Sequence, residues 1–208
     1  MLKKSVVFKR NQVKLPRLNY KNVFFYVLFL CGFIIGVLTV SKMNSDANEI
    51  LKHFFTSYLI ENSNKDFLDF FIESVLIIAA IPFLTFLFGL CVFGIPCIIS
   101  APAFVGAISG VLIGFLYLNF GLKGLGFCAL IIIPIIAITV ATLIKCCEEA
   151  INMSVEIIAI TGGFQTSNKR NELKEYCMKF IVLLLPLILS SILYIGCFNL
   201  FGGLFSFI

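Results

Sequence analysis

The amino-acid sequence predicts an all-α polytopic membrane protein, a bundle of five transmembrane helices with short amphipathic helices in the outer connection. Of its 208 residues, 60% are hydrophobic and only 13% are charged, and the mean hydropathy is +1.06. Soluble domains are about 45–50% apolar and about 25% charged. This composition leaves too little polar surface for a water-soluble enzyme. Intrinsic disorder is excluded as well, because it requires low hydrophobicity.

Five apolar stretches have the length of a membrane-crossing helix, which needs roughly 20 residues to cross a hydrocarbon core of about 30 Å. They are residues 23–40, 74–93, 98–118, 125–144 and 180–198. None contains Asp, Glu, Lys or Arg, and one such charge at the centre of a span would cost about 2.5–3.5 kcal/mol on insertion. We therefore treat residues 1–208 as a single membrane domain, with a basic segment at residues 1–22 ahead of the first span.

The placement of lysine and arginine predicts which side of the membrane each connection faces. Seven basic residues precede the first span and five lie from residue 145 to residue 179, whereas four lie in the connections on the opposite side. Short cytoplasmic loops are enriched in Lys and Arg. The distribution therefore predicts a multi-pass protein of the cell membrane with a cytoplasmic N-terminus and, after five crossings, an extracytoplasmic C-terminus.

Glycines recur at four-residue spacing in two spans. Gly106, Gly110 and Gly114 form two overlapping GxxxG units in the third span, and Gly32 and Gly36 form another in the first. A glycine face lets two helix backbones approach closely, which supplies the packing contacts that hold helices together in lipid. One interpretation is a partner interface, or a homo-oligomer through Gly106, Gly110 and Gly114. The other, which is the commoner use of such a face, is packing inside the chain's own bundle.

The sequence offers no catalytic, metal-binding or cofactor-binding constellation. Its one histidine, His53, has no Ser-His-Asp order or metal spacing around it, and we interpret it as an interfacial or surface residue. The eight cysteines lack C-x₂-C spacing, and none lies in the outer connection, where an oxidising compartment would favour disulfides. We interpret most of them as small apolar fillers. No basic face follows the first twenty residues, so nucleic acid is not an expected partner.

Two connections between the spans have amphipathic character. The outer connection, residues 41–73, alternates apolar pairs with polar residues at roughly helical intervals, which indicates short helices on the outer membrane face. It is our candidate partner-binding surface. On the cytoplasmic side, Glu148, Asn152 and Glu156 recur every four residues just past Lys145, which closes the fourth span. We interpret them as the water-facing side of a cytoplasmic helix, because acidic residues inside a membrane are rare.

The alternative function is that of a small transporter or permease subunit. It needs polar groups lining a cavity near the middle of the membrane. The prolines that interrupt the last two spans, Pro134 and Pro186, have apolar neighbours. The polar candidates for such a lining are few, chiefly Thr85, Ser100, Ser109, Thr139 and Thr142. An intramembrane enzyme would need a polar catalytic pair at matching depths, and we find none.

A distinctive order of glycines, prolines and apolar residues surrounds the third span. It comprises Phe93-Gly94-Ile95-Pro96, then Pro102 to Gly106, then Gly110 to Gly114, then Asn119-Phe120-Gly121-Leu122-Lys123-Gly124. Over roughly residues 88–134 this order resembles the stage II sporulation protein M family. The five hydrophobic spans, the basic N-terminus and the length near 200 residues also fit that family.

The resemblance implies a non-enzymatic membrane scaffold of endospore-forming bacteria. Members of the family recruit and hold peptidoglycan-degrading partners at the septal membrane during engulfment of the forespore. No catalytic residues belong to the family, so none is assigned here. The expected partners are therefore the lipid bilayer and the members of a peptidoglycan-hydrolase complex.

Overall fold

The computed structural model describes residues 20–44, 46–53, 57, 67–161 and 169–201, and the regular structure in these ranges is helical. The long elements are α1 (Tyr20–Ser41), α2 (Phe67–Gly89), α3 (Ile95–Phe127), a π-helical segment (Cys128–Ile132), α4 (Ile133–Thr161) and α5 (Lys169–Phe201). Residues 46–53 form a further short helix. The predicted all-α fold is confirmed. Most of the predicted basic segment, much of the outer connection and the C-terminal tail lie outside the described residues.

Four helical runs are long and apolar enough to cross a membrane. Three are single helices, within α1, α2 and α5, and the fourth runs continuously over Ile95–Ala159. At 1.5 Å per residue, its 65 residues would extend about 98 Å if straight, some three times the thickness of the hydrocarbon core. The chain is a multi-pass membrane protein, and this long run has to fold back on itself.

The long run reverses direction at Gly121. This residue has φ 57° and ψ −133°, a conformation that glycine adopts readily because it lacks a Cβ. The two arms then meet side by side: the Cys147 thiol donates to the Ile98 carbonyl oxygen at 3.6 Å, although 49 residues separate them. A straight helix would hold these residues about 74 Å apart. The hairpin therefore supplies two apolar arms, which brings the bundle to five.

Side-chain contacts show which helix ends lie together. At the end of the bundle that contains the Gly121 turn, which we name the reversal end, the ring of Phe70 lies 5.5 Å from the rings of Tyr194 and Phe198. At the opposite end, which we name the charged end, Lys179 pairs with an acid of α4. The start of α2 thus lies beside the end of α5, and successive apolar helices alternate in direction.

The glycine face of α3 packs against α1 of the same chain. A Cβ on Gly106 would overlap the carbonyl oxygen of Phe29, and one on Gly110 would overlap that of Phe33. The glycines of α1 lie equally close to the backbone of α3. The residue numbers rise together along the contact, so the two helices are parallel. Packing inside the bundle, one of the two interpretations of these glycines, is what the structure shows.

A π-helical segment adjoins the proline of the fourth apolar arm. The N–H of Ile133 bonds to the carbonyl of Cys128, five residues earlier, instead of the usual four. Pro134 has no N–H of its own, and its ring crowds the carbonyl four residues before it. The wider π turn accommodates this local disruption. The chain therefore remains helical through Pro134.

The helix bounds differ from the spans that hydropathy predicts. Helix α5 begins at Lys169 although the predicted span begins at residue 180, and α2 ends at Gly89, before the predicted limit at residue 93. The start of α5 is polar, so a search for apolar runs does not include it. Hydropathy reports contact with lipid, whereas these bounds report backbone hydrogen bonding.

The part of α4 beyond Lys145 has one side fully buried against its neighbours. Glu148 is partly covered, with 17% of its side chain exposed, and it pairs with Lys145. The fully buried side consists of small residues, Cys147, Ala150 and Ser154. Their size lets α4 lie close to the end of α2 and the start of α3.

Candidate functional site

An amide pair joins the outer connection to α3 at the reversal end. Nδ2 of Asn119 donates to Oδ1 of Asn48 at 3.0 Å, and Nδ2 of Asn48 donates to Oδ1 of Asn119 at 3.2 Å. Asn119 also donates to the carbonyl oxygen of Phe115 at 3.1 Å. Because each amide acts as donor and acceptor, the pair holds the short helix at residues 46–53 in a defined orientation on the end of the bundle.

Ionised side chains form a network at the charged end. Nζ of Lys145 lies 2.9 Å from Oε2 of Glu148, and Nζ of Lys179 lies 3.0 Å from Oε2 of Glu149. With its amide oriented to donate to Glu148 and to accept from Lys145, each at 3.2 Å, Asn22 connects α1 to the same network. Partly exposed ion pairs contribute at most about 1 kcal/mol each. The network therefore marks a polar boundary of the bundle, and its contribution to stability is small.

Side chains of α4 and α5 hold the turn between α2 and α3. Ser154 donates to the carbonyl oxygen of Cys91 at 2.9 Å, and the Tyr176 hydroxyl donates to that of Phe86 at 3.0 Å. The ring of Tyr176 also stacks on the ring of Phe86 with centroids 5.1 Å apart. The last carbonyls of a helix lack a partner within it, and the Tyr176 hydroxyl supplies one for Phe86 in the last turn of α2. The turn is thereby fixed to the rest of the bundle.

An apolar groove of about 670 Å³ lies in the half of the bundle nearer the reversal end. Side chains of α2, α3, α4 and α5 bound it, together with Leu51 from the short helix of the outer connection. Ser74 and Tyr194 are the polar residues of its lining. The Ser74 hydroxyl donates to the carbonyl oxygen of Phe70 at 2.7 Å, so its hydrogen is already engaged. The surface that the groove offers to a ligand is therefore almost wholly hydrocarbon.

The hydroxyl groups considered for a transport cavity are mostly engaged within their own helices. Those of Thr85, Ser109 and Thr142 donate to carbonyls four residues earlier at 2.8–2.9 Å. Ser100 donates to a carbonyl three residues earlier at 2.9 Å. The hydroxyl of Thr139 is buried, with no hydrogen-bond partner in the part of the chain that the structure describes. Neither the groove nor a second cavity of about 290 Å³ is lined by Asp, Glu, Lys, Arg or His.

The structure separates the other residues that the sequence singled out. Gly106 and Gly110 contact the α1 backbone, and a Cβ on Gly114 would lie 3.5 Å from the Cα of Val37, so α1 covers all three. His53, the last residue of the short helix at residues 46–53, is exposed, with Nδ1 3.5 Å from the hydroxyl of Ser57. Within the described ranges, no group of three or more His, Cys, Asp or Glu side chains is arranged to hold a metal ion.

The cysteines are free thiols with different surroundings. Cys128, Cys146 and Cys147 are buried, as expected of small apolar fillers. Another three are exposed: Cys31, Cys91 and Cys97.

Reasoning from the sequence missed the Asn48–Asn119 pair and the groove. The two asparagines are 71 residues apart, and no local pattern connects them. The predicted topology places both on the same side of the membrane, but the outer connection also contains Asn44, Asn62 and Asn64, so nothing singled out Asn48. The groove carries no signal either, since its lining residues are as apolar as those that fill the core.

Some of the residues that carried the family resemblance form the two turns at the ends of the first α3 arm. At the charged end, a Cβ on Gly94 would overlap the carbonyl oxygen of Phe88. At the reversal end, Gly121 makes the turn, and a Cβ on Gly124 would overlap the carbonyl oxygen of Leu116. A side chain at Gly94 or Gly124 would therefore collide with a carbonyl oxygen, and the backbone at Gly121 has a conformation that favours glycine.

Comparison with known proteins gives one result for this chain. The family model described as stage II sporulation protein M matches residues 25–198. Comparisons with curated proteins and with solved structures gave no match. The matched range includes parts of all five apolar arms and both turns of the hairpin. The chain therefore belongs to the stage II sporulation protein M family.

Proposed function

We propose that this chain is a non-enzymatic scaffold of the cell membrane that positions peptidoglycan-degrading partners at the septal membrane during forespore engulfment. The observation that carries the proposal is the family match over residues 25–198, which links the chain to stage II of sporulation. The scaffold role is the one that the resemblance of its motifs implies. The apolar helices supply the membrane attachment that such a role requires.

The proposed mechanism is an increase in local concentration. A hydrolase that is bound to a membrane platform samples the adjacent cell wall at an effective concentration that can reach the millimolar range for a short tether. A platform works best when its contact surface is held in one orientation. The Asn48–Asn119 pair provides such a constraint for residues 46–53, and Ile50 on this helix is 72% exposed.

The proposed orientation follows from the distribution of basic residues. The charged end, with Lys145 and Lys179, faces the cytoplasm, and the reversal end faces the cell wall. In this orientation residues 46–53 lie on the side where peptidoglycan is. A hydrolase outside the membrane would meet this helix and not the exposed part of α4 at the other end.

A matched pair of surface variants tests this assignment. Ile50→Asp changes an apolar side chain at the reversal end, and Val155→Asp changes one that is 51% exposed at the charged end. A tagged chain is isolated from sporulating cells after chemical cross-linking, and peptidoglycan hydrolases are measured by mass spectrometry. We expect Ile50→Asp to reduce hydrolase recovery and Val155→Asp to leave it unchanged. Absence of any hydrolase with the wild-type chain would contradict the scaffold role.

A further inference from the structure

We propose that the apolar groove near the reversal end binds an acyl chain of a bilayer phospholipid. The groove lies between helices that are long and apolar enough to cross a membrane. Its lining residues come from α2, α3, α4 and α5 and from the short helix at residues 46–53. The proposal concerns a lipid site and is independent of the partners that the chain positions.

The chemistry of the lining fits a saturated hydrocarbon ligand. Beside Ser74 and Tyr194, the groove is lined by aliphatic and phenyl side chains and one alanine. The Ser74 hydroxyl is already bonded to a backbone carbonyl. A ligand with polar groups along its length would lose its hydrogen bonds with water and regain few, at a cost of several kcal/mol per group. An acyl chain has no such groups to satisfy.

The length of the groove corresponds to one leaflet of the bilayer. Along α3 its lining extends from Ala107 to Phe115, a rise of about 12 Å over the intervening residues. Half of the hydrocarbon core is about 15 Å deep. Leu51, from the short helix outside the predicted spans, closes the groove at the reversal end. The opening thus extends from near the membrane surface towards the bilayer centre, which is the path of an acyl chain in that leaflet.

The groove opens between helices whose outward faces carry exposed apolar side chains. The rim is also continuous with the lipid-facing surface of the bundle. Ile77 of α2 and Ile108 of α3 line the groove and are 56% and 49% exposed. A lipid beside the bundle can therefore place its chain between them without any helix moving.

Site-directed filling of the groove tests the proposal. Ile108→Trp enlarges a side chain at the mouth, and Ile34→Trp makes the same change on α1, where the isoleucine is 56% exposed and does not line the groove. Each full-length protein is placed in nanodiscs of phosphatidylethanolamine and phosphatidylglycerol that contain phosphatidylglycerol with a diazirine midway along one acyl chain. After illumination, cross-linked residues are identified by peptide mass spectrometry. Ile77→Trp serves as a second filling variant if Ile108→Trp does not fold.

In the wild-type protein we expect the cross-link yield in the groove to exceed that on the lipid-facing side of α1 several-fold. Ile108→Trp should remove most of this excess, whereas Ile34→Trp should retain it. Equal yields at the two surfaces of the wild-type protein would overturn the proposal. It would also be overturned if Ile77→Cys gave an efficient disulfide between two copies, because a second chain would then occupy the groove.

Discussion

The side-chain amides of Asn48 and Asn119 exchange two hydrogen bonds, at 3.0 and 3.2 Å, across 71 residues of sequence. This pair attaches the helix at residues 46–53 to the end of the bundle, beside the turn at Gly121. Removing either amide leaves the other with unpaired hydrogen-bonding groups. We expect Asn48→Ala and Asn119→Ala each to lower the free energy of unfolding by about 1 kcal/mol, because a typical net hydrogen bond is worth about that much.

A double-mutant cycle isolates the contribution of this amide pair. The variant with both alanines should be little less stable than either single variant, with a coupling energy of about 1 kcal/mol. The measurement is thermal or denaturant unfolding in a detergent that supports reversible refolding. Strictly additive effects would show that the two amides do not stabilise the fold through one another.

The close approach of α1 and α3 predicts sensitivity to one added methyl group. Gly106→Ala places a Cβ against the carbonyl oxygen of Phe29, so the two helices must separate. We expect a loss of about 1–3 kcal/mol, the usual cost of overpacking. Gly196→Ala is the matched control, since no heavy atom lies within 4 Å of a Cβ there. Gly106→Ala should have a lower melting temperature than Gly196→Ala. Equal melting temperatures would contradict the close contact of Gly106 with α1.

The reversal at Gly121 predicts that a side chain there would lower stability through backbone strain and not through a steric clash. A Cβ at this position meets no atom within 4 Å, but the φ of 57° with ψ of −133° is strained for any residue with a side chain. Gly121→Ala should therefore lower stability by about 1–3 kcal/mol through backbone strain alone. Unfolding of the purified variant measures this. Wild-type stability would mean that the turn adopts another conformation in the protein.

The proposed orientation predicts opposite accessibility of two exposed positions. Glu49 lies at the reversal end and Lys174 near the charged end. Single cysteines at these positions, in a variant without the native cysteines, are treated with a membrane-impermeant maleimide on intact cells. Glu49→Cys should react at once, and Lys174→Cys should react only after the membrane is permeabilised. Reaction of both from outside would contradict an odd number of crossings between them.

Hydropathy alone was enough to predict the class of the protein and the number of apolar arms. Membrane-crossing segments must satisfy their backbone groups internally, so a long run without charge has few structural options. The same physics explains where the prediction stops. The polar start of α5, from Lys169, is helical, and hydropathy does not register polar helices of that kind.

The contacts that define the site depend on which helices become neighbours. The glycines of the first and third spans were recognised as a packing face, but spacing alone did not show that each was the other's partner. Asn119 and Gly121 were part of the family motif, yet their roles in pairing with Asn48 and in the reversal required coordinates. The groove arises from the separation of α2 from α3, which no local pattern of apolar residues encodes.

Deletion of the gene in a sporulating strain tests the central claim most directly. Engulfment is followed by fluorescence microscopy of the forespore membrane, and septal peptidoglycan is measured by electron cryotomography. The account predicts that engulfment stops with an unthinned septum, and that the wild-type chain restores it while a chain with Ile50→Asp restores it poorly. Normal engulfment and normal septal thinning in the deletion strain would contradict the account.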